Sequence, residues 1–377
     1  MNRRSAHRHQ YGRGLAPRSV VVSALAIGLV VAGCGGGSGP SATSGSATSS
    51  PSSPTAPGFT ATHAPAAEPG RAAPPVVPPV GAVVPIGNAP EGIVVGASGV
   101  GAVAVRKPDG VQIFDATTGS VRQMIPTRGA ARHLELAGPD GPVIVPLEAS
   151  NELSELELPV GRILSTATGV GRQPHDAVVT SSGTIVVTNE IGGGVVFVRD
   201  GVVLGSLPAG PFQPGGVAAV GQYAAVADVQ GNGVWVYDGS TRQQVAQAPV
   251  GVKLTHAVGL TGDLAAFADT DGGAVLVERI DPQITPVAKI DAPGHPYGLA
   301  YDAQRKRLFV TLTASNVLRV VDLSDPSTPR ILGDVATVQQ PNSVAVDPRS
   351  GGVVITGSDP DGSSSLQIVA ADLLPGG

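Results

Sequence analysis

The sequence predicts an all-β chain folded as a seven-bladed β-propeller with four-stranded antiparallel blades, and three observations predict it. After about residue 76 no long amphipathic helical pattern occurs; short Val-rich and Ala-rich runs alternate with turn dipeptides such as Asp109-Gly110, Asp200-Gly201 and Asn232-Gly233. A segment of about forty residues then recurs seven times. Inside each copy, a second column of residues keeps the same period.

Residues 1–33 read as an export signal. Arg3, Arg4, Arg8, Arg13 and Arg18 precede the uncharged run "VVVSALAIGLVVAG" with no acid among them. That run is shorter than the roughly 20 apolar residues of a membrane span. The "VAGC" at 31–34 resembles the bacterial lipobox, which implies that Cys34 becomes the lipidated first residue of an exported chain held on the outer face of the cell membrane. Cys34 is the single cysteine, so no intramolecular disulfide can form.

Residues 34–75 are mostly Gly, Ser, Thr, Ala and Pro, with too few large apolar side chains to bury, and are expected to act as a disordered tether. The propeller domain is expected over 76–377. Removing the five signal arginines from 24 basic residues leaves 19 against 29 acidic ones, a net charge of about −10 at neutral pH. Nucleic acid is excluded as a partner, because its binding needs phosphate neutralisation by Lys and Arg. Acidic headgroups are equally disfavoured, which leaves the Cys34 lipid as the membrane attachment.

Each repeat opens its first apolar run at an anchor: Glu91, His133, His175, Gly215, His256, Tyr297 and Asn342, at intervals of 42, 42, 40, 41, 41 and 45 residues. Such a unit is long enough for four short strands, and seven of them close a ring. The second strand is expected to end 13 to 15 residues later, at Val105, Leu147, Asn189, Asp228, Asp269, Leu312 and Gly357. Asp115, Asp238 and Asp322 end third strands, where a short carboxylate caps the following turn. The last repeat has three strands, near 343–346, 352–356 and 365–369; residues 81–86 are expected to supply its fourth, so that no blade is left with a bare edge.

In register, "VQIFDATTGSVRQMIPTRG", "QPHDAVVTSSGTIVVTNE" and "HPYGLAYDAQRKRLFVTLTASNVLRVVDLS" resemble the YVTN-type repeats of YncE-like propellers over about 85–377. Blade two, with "NELSELELPVGR", departs from that pattern. "PHDAVV" also resembles the Pro-His-Gly opening of streptogramin-lyase-like propellers, with Asp176 in place of the glycine. "APEGIVV" is similar to the segment bearing the first metal-binding glutamate of gluconolactonase-like ones. These two likenesses imply metal-assisted chemistry; the first implies architecture alone, since the fold hosts unrelated functions.

Anchors and second-strand ends belong to the same mouth of the channel. Two polar rings are therefore expected there, one of Glu91, His133, His175, His256, Tyr297 and Asn342, the other of Asn189, Asp228 and Asp269. Three of the four histidines after residue 76 occupy the anchor column, and His295 lies two residues before its own anchor. Either these groups hydrogen-bond backbone in a wet channel, or His133, His175, His256, Asp228 and Asp269 converge on a divalent metal or an anionic ligand. Imidazole nitrogen with carboxylate oxygen suits zinc or another transition metal, and carboxylates alone suit calcium or magnesium. His175 and His256 are then the candidate general bases. "DTDGG" at Asp269 and "DPDG" at Asp359 lack the later glutamate of a calcium loop, and no Gly-x-Ser-x-Gly elbow is present. Two functions remain: a non-catalytic envelope lipoprotein whose propeller face binds a small ligand or an envelope protein, or a metal-dependent hydrolase or lyase working at the channel mouth.

Overall fold

The computed structural model describes residues 69–358 and 364–376; the export signal, Cys34, most of the tether and the Asp359 turn lie outside them. The described residues form 28 strands in seven four-stranded antiparallel sheets. Blades one to six take residues 93–126, 135–168, 174–207, 214–249, 254–291 and 296–336. Blade seven combines three strands within 341–369 with Ala82–Pro85 as its outer strand, in register from Ala82 opposite Ile368 to Pro85 opposite Ser365. One sheet therefore joins the two ends of the ring.

Burial follows position within a blade. Second strands such as Val143–Leu147 and Leu264–Asp269 are buried throughout, being covered on both faces by neighbouring blades. Outer strands such as Val202–Leu207 are largely exposed. The apolar cores lie between blades: Val275, Val277, Val310 and Leu312 join blades five and six, while Val111, Ile113, Val143 and Val145 join blades one and two. Burying one such side chain contributes about 1.5–3 kcal/mol, so the ring is held at every blade contact and not at a single centre.

The turn chemistry matches the sequence. Asp200 and Gly201 take φ of 50° and 72°, the positive values of a two-residue hairpin turn. Asp115 accepts from the Thr117 and Thr118 amides at 3.1 Å each, and Asp238 from the Ser240 and Thr241 amides at 2.7 and 3.0 Å. Six second strands end at the expected residue; the seventh runs one further, to Ser358. Residues 69–75, which the sequence assigns to the tether, lie along blades six and seven: Gln339 Nε2 donates to the Ala72 carbonyl and Asn316 Nδ2 to the Ala73 carbonyl, both at 2.8 Å.

The inner strands line the channel. One residue past the anchor stand Gly92, Leu134, Asp176, Gly216, Ala257, Gly298 and Ser343. A Cβ at Gly216 would lie 2.7 Å from the Ala257 amide nitrogen, and one at Gly298 2.7 Å from the Asn342 carbonyl oxygen. Glycine there lets adjacent strands meet backbone to backbone. Below the mouth these small residues open a chamber of about 70 Å³. Blade two departs here as in sequence: its inner strand is only Glu135–Leu136, against six or seven residues in blades three to seven.

Candidate functional site at the channel mouth

The anchors meet on the axis. His133 packs against His175 with ring centroids 4.6 Å apart and against His256 at 4.4 Å, and His256 packs on Tyr297 at 4.1 Å. Four aromatic rings from blades three, two, five and six thus stack across the top of the channel. All four are buried. Asn342 is placed differently: its Nδ2 donates to the Pro90 carbonyl at 3.0 Å and its Oδ1 accepts from Thr356 at 2.6 Å, which ties blade seven to blade one.

Beside the stack lies an ion network that the expected rings contain only in part. Arg106 Nη2 bonds Glu91 at 2.7 Å and Glu148 Oε2 at 3.0 Å, and Arg132 Nε bonds Glu148 Oε1 at 3.1 Å. His175 Nδ1 stands 3.3 Å from Glu190 Oε2 and 3.6 Å from Glu148 Oε1, between two carboxylates and lined up with neither. Gln173 donates to the same Glu190 oxygen at 3.0 Å. Arg106, Glu148 and Glu190 each stand one residue past a second-strand end. Successive strand side chains point to opposite sides, so this residue, and not the strand's last one, reaches the axis.

The second expected ring is consequently spent on loops. Asp228 accepts from the amides of Phe212, Gln213 and Gly231 at 3.0 to 3.1 Å, and Asp269 from those of Val252, Lys253 and Gly272 at 2.8 to 3.2 Å. Both carboxylates cap the loops of their own blades. Asn189 packs over Gly171, where no Cβ would fit. None of the three joins the histidines: backbone amides hold Asp228 and Asp269 at the wall, and Asn189 lies against Gly171. His295 is half exposed, 3.8 Å from Asp271.

The electrostatics follow from this placement. Burial opposes charge on His175, but the Glu190 and Glu148 carboxylates outweigh it and hold the imidazole up to about 9. Burial likewise opposes charge on Glu148, yet His175, Arg132 and Arg106 together pull it down to about 2. His133 and His256 are pushed well below the usual histidine range, first by burial and then by neighbouring positive charge. The network sets the carboxyl groups of Glu91, Glu148 and Glu190 against Arg106, Arg132 and His175.

Among the described residues, Glu148, His175 and Glu190 are the one group of three whose ligand atoms all lie within 4.8 Å of one another. They do not suit a metal ion. Both Glu148 oxygens already accept from guanidinium groups at 3.0 and 3.1 Å, and a metal-ligating imidazole must be unprotonated on the nitrogen it offers. A divalent ion here would sit against two guanidinium cations. The same protonation leaves His175 unable to act as a general base near neutral pH.

No protein family and no curated protein matches the chain. Solved structures do. A streptogramin B lyase matches with a TM-score of 0.60 and 15% identity over 78% of this chain and 96% of that one. The WD40 repeats of RRP9 match with a TM-score of 0.66 and 13% identity over 77% and 98%. The hydrazine synthase of Kuenenia stuttgartiensis matches with a TM-score of 0.61 and 15% identity over 76% and 96%. At such identities the likeness establishes the seven-bladed propeller fold and nothing about activity.

Proposed function

We propose that the protein is a non-catalytic binding propeller, held on the outer face of the cell membrane by lipid on Cys34, whose mouth face docks a ligand or an envelope protein. The observation that carries this reading is the ion network: Glu91 and Glu148 are bonded to Arg106, Glu148 also to Arg132, and Glu148 and Glu190 flank His175, so these acids and cations are engaged with one another. A mouth built that way serves as a rigid platform. Photo-crosslinking residues placed at Val252 and Arg128, both on loops entering inner strands, are expected to capture one partner in the envelope, with no adduct to that partner from Val203 on an outer strand. Equal capture from all three positions counts against the mouth as the docking face. Cys34→Ser is expected to release the protein from the membrane fraction.

A second reading, a metal-dependent hydrolase or lyase, draws support from the closeness of Glu148, His175 and Glu190 and from the streptogramin B lyase likeness. Elemental mass spectrometry of the purified chain after dialysis against zinc, manganese or calcium separates the two. The binding reading expects no retained ion. One equivalent of metal, lost in His175→Ala, would favour the enzyme.

A further inference from the structure

We propose that the outer edge of blade three pairs with the same edge of a second copy of the chain, so that two propellers join about a two-fold axis through one eight-stranded sheet. The edge lies on the circumference of the ring, so the dimer goes beyond the docking reading of the mouth and does not rest on it.

Every blade ends in an outer strand whose outward N–H and C=O groups have no partner within the sheet, and such edges are ordinarily kept from pairing by charge or proline. Arg122, Arg162, Pro249, Pro286, Arg330 and Pro85 do this in six of the seven outer strands. The remaining one, Val202–Leu207, reads VVLGSL and holds neither. It also exposes three large aliphatic side chains in a row, Val202 at 59%, Val203 at 37% and Leu204 at 38%, the one such run among the described residues. Successive side chains of a strand point to opposite faces, so both faces are open as well as the edge. The bulge at Leu204 does not set this strand apart, because the outer strands of blades one to six all carry one.

Blade two continues the patch. A Cβ at Gly201 would lie 3.2 Å from that of Ser165, which brings the two outer strands side by side. Ile163 and Leu164, exposed on blade two's outer strand, and Val160 at its hairpin therefore extend the apolar surface of Val202 to Leu204. Six partly exposed aliphatic side chains make a patch of the order of 300–600 Å², a size at which such patches are often interaction sites. That is below the roughly 800 Å² per partner of a standard interface, so the dimer is expected to be reversible.

The charge pattern favours a second copy over a different protein. A two-fold axis lays the strand against itself, so any charge on it meets its own kind nearby, whereas a different protein could answer each charge with the opposite one. Only a self-pairing edge has to be neutral throughout, and Val202–Leu207 is the one outer strand free of both charge and proline. The chain carries about ten excess negative charges, which confines self-association to a sector without net charge. Here the flanking ions cancel or stand apart. Glu157 is bonded to Arg162 at 2.9 Å. Antiparallel pairing about Leu204 sets the two Asp200 carboxylates at opposite ends, roughly 26 Å from each other and well beyond the ~8 Å over which salt screens them.

Sedimentation velocity of the purified chain across a range of concentrations tests the dimer, with amide hydrogen exchange as the second readout. A monomer–dimer equilibrium is expected, weakened at least tenfold in Leu204→Lys, which sets two lysines beside the axis, and unchanged in Val121→Lys, on the outer strand of blade one. Both side chains are exposed, so both variants are expected to fold. Exchange of the amides of residues 202–207 is expected to slow as the dimer forms, which side-chain contact without strand pairing does not produce. The proposal is overturned by a chain that stays monomeric at every concentration, by a dimer that Leu204→Lys leaves intact or that both variants weaken equally, or by slowed exchange confined to another part of the ring.

Discussion

Blades one to three and blades five and six solve the same positional problem with different chemistry. One residue past the second strand, the first group places Arg106, Glu148 and Glu190; Arg106 bonds Glu148 across a blade boundary, and Glu148 from blade two and Glu190 from blade three flank His175. Blades five and six place Thr270 and Thr313 there, and each hydroxyl donates to the carbonyl that opens the next blade's inner strand, Pro296 at 2.8 Å and Pro341 at 2.7 Å. Both arrangements tie a blade to its neighbour. The threonines do so with local, neutral, pairwise bonds that tolerate any pH. The charged side does it with a shared network in which each member depends on the others and on its ionisation. One side of the mouth is therefore sensitive to single substitutions and to pH, and the other is not.

The strongest way to break that contrast is Glu148→Ala. Glu148 touches Arg106, Arg132 and His175, and both it and Arg132 have side chains only 9% exposed. Removing one partner of a buried pair strands the other charge and costs about 3–5 kcal/mol. The urea midpoint is expected to fall accordingly, with the slope unchanged. A loss under about 1 kcal/mol, the range of a surface ion pair, would mean that water reaches the network and that the two sides of the mouth are energetically alike.

The pH dependence sharpens the same contrast. His175 titrates at about 9 in the fold against an ordinary 6.5, so the folded state holds more protons between those values. Its contribution is complete below about 6.5 and is lost as pH rises to 9. Glu148, near 2 against an ordinary 4.5, contributes fully above 4.5 and loses that contribution as pH falls towards 2. The network is therefore strongest between about 4.5 and 6.5. Glu135, raised to about 8, carries the same sign as His175 up to that pH, whereas the change at Asp176, raised to about 6, falls below this window, so His175 must be isolated by substitution. In urea titrations from pH 6.5 to 9, wild type is expected to lose stability faster than His175→Gln, and the gap between them to close. A gap that stays constant would show that His175 is neutral in the fold.

The ring itself was legible because repetition is a long-range signal: seven anchors and the aspartates ending third strands mark the register, and six second strands stop where the column says. The site was half legible. Anchor histidines could be placed at the mouth from spacing alone, and three of them do meet. Asp228 and Asp269 were misplaced by one step of the strand alternation, which turns a strand's last side chain towards loop amides and its successor towards the axis. A signal existed in that next column, which reads Arg106, Glu148, Glu190, Val229, Thr270, Thr313: ionisable in three consecutive blades and uncharged afterwards. Glu135 had a signal of the same kind: it stands two residues past its anchor, in a column whose Ile93, Val217, Val258, Leu299 and Val344 also line the chamber, and an acid alone in an apolar column marks the place.

The smallest effect is expected on the neutral side. Thr313 is fully buried, and Thr313→Val keeps its shape while deleting the hydroxyl that satisfies the Pro341 carbonyl. A neutral hydrogen bond is worth a net 0.5–1.5 kcal/mol or about that, with somewhat more lost if the carbonyl stays buried and unpaired. The expected cost is thus about 1–2 kcal/mol, well below that of Glu148→Ala, and constant from pH 5 to 9 because nothing in the pair titrates. Thr270→Val should cost at least as much as Thr313→Val, since it removes the bond to the Pro296 carbonyl and also the 2.7 Å contact with the buried Thr255 hydroxyl. If either threonine variant instead lost stability steeply with rising pH, the neutral contacts would be coupled to the charged ones, and the mouth would have to be treated as one network running round the ring.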